Sequence, residues 1–373
     1  MEESSRKAMG TGSRQGGAVV DRGEAAVLTI GLDLSDRFSS FCVLDGKGTV
    51  VEEGRLRTTT AALSGRFSAA PCRVILEVGT HSPWVSRLLA GLGHEVIVAN
   101  PRRVRLIAEG QRKTDRTDAE TLARLGRLDP ALLSPVRHRG LEAQQALAVL
   151  RARDILVRTR TQLINHVRGA VKAAGGRLPS CSAPSFHRKA LPYLPEEQRL
   201  ALDSLGATIA DLTARIEDYD REVERLAMAS AAARALRQVP GVGALTALAF
   251  VLVIEDPERF RKSREVGPYL GLTPRQRQSG EREPRLPITK AGDALLRRLL
   301  VQCSHYILGP FGPDCDLRRW GFRIAGGAAG SHKRRAVIAV ARKLAVLLHR
   351  LWITGEVYTP LRAGPGLAIA AAG

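Results

Sequence analysis

Residues 27–34 have the sequence Val-Leu-Thr-Ile-Gly-Leu-Asp-Leu, an apolar run with a carboxylate near its end. Its length and its β-branched residues predict a buried β-strand. A second apolar run, Cys72–Val78, carries Glu77 in the corresponding place. An acid at the end of such a run is costly to bury unpaired, so Glu77 is not an ordinary surface carboxylate. The order of the elements around these two strands decides the fold.

The other predicted elements of the first third follow the order of an RNase H-like fold. A hairpin turn is predicted at Asp45–Gly48. The remaining elements are strands at Phe38–Leu44, Thr49–Leu56 and His94–Val98, and helices at Pro83–Leu92, Pro101–Glu109 and Thr117–Leu128. Three meandering strands followed by alternating helix and parallel strand bring the first and fourth strand ends side by side. We therefore expect an α/β, RNase H-like N-terminal domain over residues 27–138, with Asp33 beside Glu77.

A second pair of acids follows in Lys-Thr-Asp115-Arg-Thr-Asp118-Ala-Glu. The two are three positions apart, so they share one face of the first turn of a helix. Asp115 could instead be the helix N-cap, with Asp118 favouring the positive end of the helix, and most single acids are merely solvated. Taken together with Asp33 and Glu77, they form a set of hard ligands that suits divalent cations and two-metal phosphoryl transfer. We favour metal binding, with Asp33 as the central ligand.

The charge of the chain predicts a polyanionic partner. Among 373 residues, Lys and Arg number 57 and Asp and Glu 37, which gives a formal net charge of +20. Such a balance is typical of nucleic-acid-binding proteins, because each neutralised phosphate releases counterions. A high-GC genome that favours Arg and Ala explains part of the excess. Aromatic residues make up 4% of the chain, so we expect Arg contacts to the backbone rather than base stacking.

Cysteine usage and hydropathy indicate the compartment. The cysteines are odd in number, scattered and without a CxxC pair, which argues against a disulfide framework and structural zinc. They are Cys42, Cys72, Cys181, Cys303 and Cys315. No signal peptide is visible, and the longest apolar run, Gly241–Ile254, is too short to span a bilayer. We expect a soluble protein of the bacterial cytoplasm, associated with the nucleoid when bound to DNA.

Composition divides the ends and the middle of the chain. Residues 1–26 are polar and rich in Gly and Ser, and residues 359–373 are rich in Gly, Ala and Pro, so both are predicted to be disordered tails. Residues 139–237 are predicted to be a helical or coiled-coil linker, with helices at Leu141–Ala174 and Glu196–Arg237. An ordinary pair of packed helices explains the same pattern equally well.

Residues 238–358 are predicted to form a mainly α C-terminal domain. It opens with Val-Pro-Gly241-Val-Gly243 before an apolar helix. This sequence resembles a helix-hairpin-helix element, whose glycines let a phosphate approach the backbone, although a plain helix-entry turn is a fair competitor. Further helices are predicted at Lys290–Leu300 and Lys333–Trp352.

Basic residues predict where nucleic acid is held. The helix after Leu141 carries a basic stripe of Arg151, Arg153, Arg158, Arg160, Arg168 and Lys172. A second concentration surrounds the loop Thr273–Arg282. The residues we expect to bind nucleic acid are Arg151, Arg158, Gly241, Gly243, Arg275, Arg277, Arg282 and Lys290.

Ser279 lies in the same basic loop, followed by Gly280. A hydroxyl among guanidinium groups could attack a phosphodiester while those groups stabilise the developing charge. No His or Asp nearby in the sequence makes an obvious general base. From chemistry alone, a solvated loop that only grips phosphates is the better interpretation.

The motifs in their order resemble the DEDD transposases of the IS110 insertion-sequence family. They are Asp33, Glu77, Lys-Thr-Asp115-Arg-Thr-Asp118-Ala, Val-Pro-Gly-Val-Gly, Gly271-Leu-Thr-Pro-Arg, Gln-Ser279-Gly280, Ile288-Thr-Lys-Ala-Gly292 and Ala339-Val-Ala-Arg-Lys-Leu344 before Trp352. The resemblance covers residues 27–358. One departure is that the family usually continues Ser-Gly-Gly-Lys, whereas this chain has Ser279-Gly280-Glu281-Arg282.

The resemblance implies a RuvC-like N-terminal domain, a helical linker and a serine-bearing C-terminal transposase domain. It implies that the four acids bind Mg²⁺ and that Ser279 is the DNA nucleophile. It also implies that acids and serine meet across protomers of a homodimer or homotetramer. Some members of the family use a structured RNA, encoded by the element, to pair with donor and target DNA.

The sequence therefore predicts a recombinase that mobilises its own insertion sequence by cutting and rejoining DNA. One alternative is a RuvC-like, metal-dependent junction endonuclease that uses water as the nucleophile. A sugar-kinase or actin-like ATPase is suggested loosely by Gly31–Ser35, but the basic helices and the lack of further Gly-rich phosphate loops in the sequence argue against it. A non-catalytic, nucleic-acid-binding transposon remnant is the alternative of another class.

Overall fold

The computed structural model describes residues 28–107, 114–277, 286–326 and 331–362. The chain divides into two compact units at the bond between His138 and Arg139. The first unit is a mixed α/β structure and the second is helical, as the sequence predicts.

The first unit is built on a five-stranded sheet with the order β3-β2-β1-β4-β5. The strands are β1 Thr29–Asp33, β2 Phe38–Leu44, β3 Val50–Arg57, β4 Arg73–Glu77 and β5 Glu95–Ala99. β2 is antiparallel to β1 and β3, while β4 is parallel to β1 and β5. The predicted strands and the predicted neighbourhood of the first and fourth strands are confirmed.

Helices cover both faces of the sheet. They are α1 Thr60–Phe67, α2 Ser82–Gly91, α3 Pro101–Ile107 and α4 Asp115–Leu128. On one face, Leu63 of α1 and Val85 of α2 share a core with Ile30 and Leu32 of β1. On the other, the small buried residues of α4 pack against β2. Helix α1 was not predicted, because only two of its residues, Leu63 and Phe67, are buried and it shows little periodicity.

The second unit contains the helices that follow His138. They are α5 Leu141–Ala173, α6 Phe186–Lys189, α7 Glu196–Ala229, α8 Ala231–Leu236, α9 Ala244–Ile254, α10 Val266–Tyr269, α11 Ala294–Leu308, α12 Asp316–Ala325 and α13 Ser331–Thr354. The predicted helix Glu196–Arg237 is two helices, because Ser230 caps α8 by accepting from the Ala233 amide. The helix predicted from Lys290 starts at Ala294, where Asp293 is the N-cap.

Helices α5 and α7 form an antiparallel hairpin. Arg153 of α5 pairs with Asp220 of α7 at 2.5 Å, and the Gln198 side chain of α7 donates to the Ala170 carbonyl of α5 at 3.1 Å. The partners run in opposite order along the two helices, which requires antiparallel packing. Helix α6 closes the far end of this hairpin through the fully buried Phe186.

Two further expectations concern cysteines and hydropathy. Cys42, Cys72, Cys303 and Cys315 are buried thiols and Cys181 is half-buried, in keeping with small apolar side chains. In the described part of the chain, no helix is both long enough and apolar enough to cross a membrane.

Candidate active site

Asp33 and Glu77 stand at the same edge of the sheet. The parallel register of β1 and β4 pairs Leu32 with Leu76, so the two acids are the next residues on neighbouring strands. Both are half-buried. The predicted placement of Asp33 beside Glu77 is therefore confirmed by the register of the two strands.

This edge is also where the direction of the chain across the sheet reverses. From β1 the chain proceeds through β2 to β3 on one side, whereas β4 and β5 lie on the other. In open α/β sheets, the crevice at the carboxyl ends of the strands on either side of such a reversal is the usual ligand site. Asp33 and Glu77 lie at those two carboxyl ends.

Asp115 and Asp118 lie in the first turn of α4. The N-cap is Thr114, whose hydroxyl accepts from the Thr117 amide at 3.2 Å, while the Thr117 hydroxyl accepts from the Thr114 amide at 3.0 Å. The alternative role of Asp115 as the N-cap is therefore wrong. Asp115 is exposed and Asp118 is half-buried.

Helix α4 lies directly on the backbone of β1. A Cβ atom at Gly31 would stand 1.9 Å from the Ala119 carbonyl oxygen and 2.5 Å from the Ala123 nitrogen. A Cβ at Gly126, near the end of α4, would stand 2.1 Å from Ile75 of β4. The helix that carries Asp118 is thus held against both acid-bearing strands. Sequence reasoning missed this role of Gly31, although a glycine inside an apolar strand often marks a close backbone approach.

The donor chemistry of these four residues fits a hard divalent cation. All four are carboxylates, the ligand type that Mg²⁺ prefers, and three of them are half-buried. Over the described ranges, however, no three His, Cys, Asp or Glu side chains lie close enough together to form a metal cluster. The fold brings Asp33 and Glu77 together at neighbouring strand ends and sets α4 beside them, but it does not bring all four carboxylates into one cluster.

The thiol of Cys42, on the strand next to β1, is not a nucleophile. Burial, reinforced by the carboxylates of Glu53 and Glu120, raises the pKa of Cys42 to about 11. Those two acids are themselves paired, Glu53 with Arg116 and Glu120 with Arg124. Cys42 therefore remains a neutral thiol at physiological pH.

Ser279 lies outside the described residues, but both flanks of its loop are described. They form a short antiparallel ribbon, in which the Arg275 amide donates to the Pro287 carbonyl at 3.0 Å and the Thr289 amide to the Thr273 carbonyl at 2.9 Å. An isolated bridge joins Pro274 and Ile288 between these bonds. In the sequence, Ser279 and Arg282 lie between the two sides of this ribbon.

Arg297 of α11 holds the base of the ribbon. Its guanidinium donates to the Leu270 carbonyl at 3.2 Å and to the Ala291 carbonyl at 2.7 Å. It is half-buried, and burial lowers its pKa, partly offset by Asp293. Sequence reasoning did not single out Arg297, because one Arg in a basic helix carries no signal of the carbonyls that it will meet.

The predicted nucleic-acid-binding residues occupy several parts of the second unit. Arg275, Arg277 and Lys290 are exposed on the ribbon. Arg151 and Arg158 are more than half exposed on α5, although each also pairs with an acid, Asp293 and Asp154 respectively.

The Pro-Gly turn before α9 is a defined hydrogen-bonded turn. The Val242 amide donates to the Val239 carbonyl at 3.0 Å, and Gly241 has φ +82°, which L side chains rarely adopt. A Cβ there would also meet Tyr306 at 2.9 Å. Gly243 is the exposed N-cap residue of α9, so both glycines have structural roles beside any phosphate contact.

The basic stripe on α5 is not one exposed face, and the prediction is wrong for Arg160. Arg160 is 6% exposed and donates to the Thr213 hydroxyl of α7 at 3.3 Å. Arg168 is half-buried over the Phe186 ring and donates to the Pro179 carbonyl at 3.0 Å. These two arginines hold the hairpin together, because α7 and the segment after α5 cover the face on which they lie.

Comparison with known proteins agrees with the motifs. The DEDD transposase model of the IS110 type matches residues 30–174, and the model described as Transposase IS116/IS110/IS902 family matches residues 233–311. The chain is similar to the transposase for insertion sequence element IS1111A of Coxiella burnetii, with 28% identity over 88% of this chain and 90% of that protein. It is also similar to the transposase for IS1328 of Yersinia enterocolitica, with 30% identity over 78% of this chain and 86% of that protein.

Proposed function

We propose that this chain, which belongs to the IS110 family of DEDD transposases, cuts and rejoins DNA with Mg²⁺ and a serine nucleophile. Its activity as a DNA transposase follows from that membership. The observation that carries the finer proposal is the placement of Asp33 and Glu77 at neighbouring strand ends, with α4 against β1. The strand order and the reversal between β1 and β4 support an RNase H-like, RuvC-like first unit.

In the proposed site, Asp33, Glu77, Asp115 and Asp118 hold the metal. When bound, Mg²⁺ would stabilise the charge that develops on the phosphate under attack. The acids supply hard oxygen ligands, and the seat of α4 on Gly31 fixes the distance of its backbone from β1. The half-buried position of Asp33, Glu77 and Asp118 partly shields them from water, which strengthens their electrostatic interactions.

Ser279 is the proposed nucleophile. Its hydroxyl oxygen attacks the scissile phosphorus, one phosphorus–oxygen bond of the DNA backbone breaks, and the leaving deoxyribose oxygen takes up a proton while the serine loses one. A DNA hydroxyl then attacks the phosphoserine and reverses the exchange, so the phosphodiester energy is conserved. Arg275, Arg277 and Lys290 on the ribbon, with Arg282, are placed in the sequence to neutralise the phosphate.

The same proposal extends to partners. We expect donor and target DNA to contact the exposed guanidinium groups of Arg151 and Arg158 and the turn of Gly241 and Gly243, in the manner of a helix-hairpin-helix element. We expect the acids and the serine to act together in a homodimer or homotetramer. A structured RNA encoded by the element is the proposed guide, and the formal charge of +20 suits such a ligand.

The test is a denaturing gel of DNA reacted with the purified protein. The substrate is a plasmid that carries the gene with its native flanking DNA, together with RNA transcribed from those flanks. The proposal expects a covalent protein–DNA adduct that requires Mg²⁺ and is lost in both Ser279→Ala and Asp33→Asn. Ser204→Ala and Asp203→Asn are matched controls, because both residues are exposed on α7, and both variants should form the adduct normally.

Two outcomes would contradict the proposal. Cleavage that survives Ser279→Ala but not Asp33→Asn would show that water is the nucleophile, as in a junction endonuclease. Tight, salt-sensitive binding without any Mg²⁺-dependent strand chemistry would show a non-catalytic remnant.

A further inference from the structure

We propose that His81 donates a hydrogen bond to a phosphate oxygen of the DNA at the sheet edge that carries Asp33 and Glu77. The inference rests on the proposed function, because it takes this edge to be the place where the strand is cut. It adds a residue that lies outside the acid motifs and the serine loop.

His81 and Asp36 lie on the two loops that leave this edge. His81 is four positions after Glu77 and directly precedes α2, and Asp36 is three positions after Asp33. His81 Nε2 is 3.6 Å from Asp36 Oδ1. Because β1 and β4 are parallel neighbours, the two loops meet beyond the ends of the acid-bearing strands.

Trp84 determines which nitrogen of His81 carries the proton. The indole N–H of Trp84 donates to His81 Nδ1 at 3.1 Å, and an indole nitrogen can only donate. His81 Nδ1 must therefore be the acceptor, so the proton of the neutral ring lies on Nε2. The two rings meet edge to face, with centroids 6.1 Å apart, which fixes the direction of the Nε2–H bond.

The loop that carries His81 is itself held in place. The buried Ser82 hydroxyl accepts from the Gly79 amide at 2.9 Å and bonds to His138 Nε2 at 2.9 Å. A donor on a fixed loop needs little reorganisation when charge develops on its acceptor. The geometry is that of a preorganised donor.

The carboxylate of Asp36 indicates that the acceptor for His81 is an anionic oxygen. Its side chain is 92% exposed, that of His81 is 27% exposed, and their 3.6 Å separation exceeds hydrogen-bond distance. An exposed carboxylate held this loosely is readily displaced by another anionic oxygen. A phosphate oxygen of the DNA backbone has the required charge and acceptor geometry, and DNA is the substrate of a transposase.

The test compares two amide substitutions of His81. The Gln side chain can place its amide nitrogen near the position of Nε2, whereas the shorter Asn reaches only the position of Nδ1. The same plasmid and transcribed RNA are used, and the rate of adduct formation is measured in a single turnover at saturating protein. DNA affinity and Tm are measured in parallel.

We expect His81→Asn to slow adduct formation about a hundredfold, as the loss of a donor to a developing charge does. His81→Gln should recover most of that rate. The DNA affinity of both variants should fall by much less than the rate of His81→Asn, because the bond strengthens as charge develops on the phosphate, and both variants should keep the wild-type Tm. Equal rates for the two variants, whether normal or impaired, would overturn the proposal, since a packing role does not distinguish them in this way. If Asp33→Asn still forms the adduct, the proposed function itself fails, whatever His81 does.

Discussion

Replacing Gly31 with Ala tests whether α4 is seated on the backbone of β1. The added Cβ would stand 1.9 Å from the Ala119 carbonyl oxygen, against an ordinary contact of at least 3.4 Å. The helix would have to move by about 1.5 Å, the difference between 3.4 and 1.9 Å. Overpacking costs about 1–3 kcal/mol, and we expect the upper part of that range, because the obstructing atoms are backbone. A cost of about 2–3 kcal/mol, at about 4 °C per kcal/mol, should lower Tm by roughly 8–12 °C.

The same displacement should also impair catalysis. Asp118 immediately precedes Ala119, so any movement of α4 away from β1 carries that carboxylate with it. A misplacement of about 1 Å in a catalytic group commonly costs about a hundredfold in rate. Gly31→Ala should therefore form the DNA adduct about a hundredfold more slowly, as measured on denaturing gels at a temperature well below its Tm.

Gly65→Ala is the matched control for this substitution. Gly65 lies within α1, and a Cβ there would have no atom within 4 Å, so the exchange should stabilise the protein by about 0.5–1 kcal/mol. Its rate of adduct formation should equal that of the wild type. A Gly31→Ala variant with wild-type Tm and wild-type rate would refute the seating of α4 on β1.

Arg297→Met should lower the free energy of unfolding in urea by about 1–3 kcal/mol, because the Leu270 and Ala291 carbonyls lose their side-chain donor; an unchanged midpoint would contradict the role given to Arg297. Arg275→Ala and Arg277→Ala should each reduce the slope of log K against log salt for duplex DNA by about 1 in fluorescence anisotropy, and the exposed α7 variant Arg215→Ala should not; equal slopes in all three would place the DNA elsewhere. Cys42, with a pKa of about 11 in place of 9.0, should be alkylated more slowly than Cys181, as measured by mass spectrometry, and faster labelling of Cys42 would contradict its burial. The contribution of the neutral Cys42 thiol to the free energy of unfolding should be complete below pH 9.0 and lost as pH rises towards 11.

The strands could be predicted because their signals are local. The Asp45 side chain accepts from the Lys47 and Thr49 amides at 2.9 and 2.8 Å, which is what the Asp-Gly turn in the sequence indicates. The apolar runs of β1 and β4 bury their residues in the core. Helix α12 was not predicted, because its charged residues obscure an amphipathic pattern of which only Leu317 and Gly321 are buried.

The sequence predicts only the part of the site that depends on strand order. Adjacent parallel strands place Asp33 beside Glu77 whatever their side chains do. The seat of α4 on Gly31 depends on which helix crosses β1, and the burial of Arg160 depends on which face of α5 meets α7. These are tertiary choices, and helical periodicity is the same whether a basic face meets water or another helix.

The proposed metal ligands and the proposed serine nucleophile depend on different contacts, so damage to each should have a different effect on the reaction. Asp115 and Asp118 are positioned relative to Asp33 by contact between α4 and β1. The contacting atoms belong to the backbone, so a change of side-chain rotamer cannot relieve a clash there. The residues that flank Ser279 in the sequence on both sides form a ribbon, and hydrogen bonds from Arg297 hold its base. Displacement of α4 should therefore raise the Mg²⁺ concentration that the reaction requires, because Asp118 moves away from Asp33 of β1. Damage to the ribbon should lower the adduct yield at every Mg²⁺ concentration, so a Mg²⁺ titration of Gly31→Ala beside Arg297→Met distinguishes a misplaced ligand set from a misplaced nucleophile.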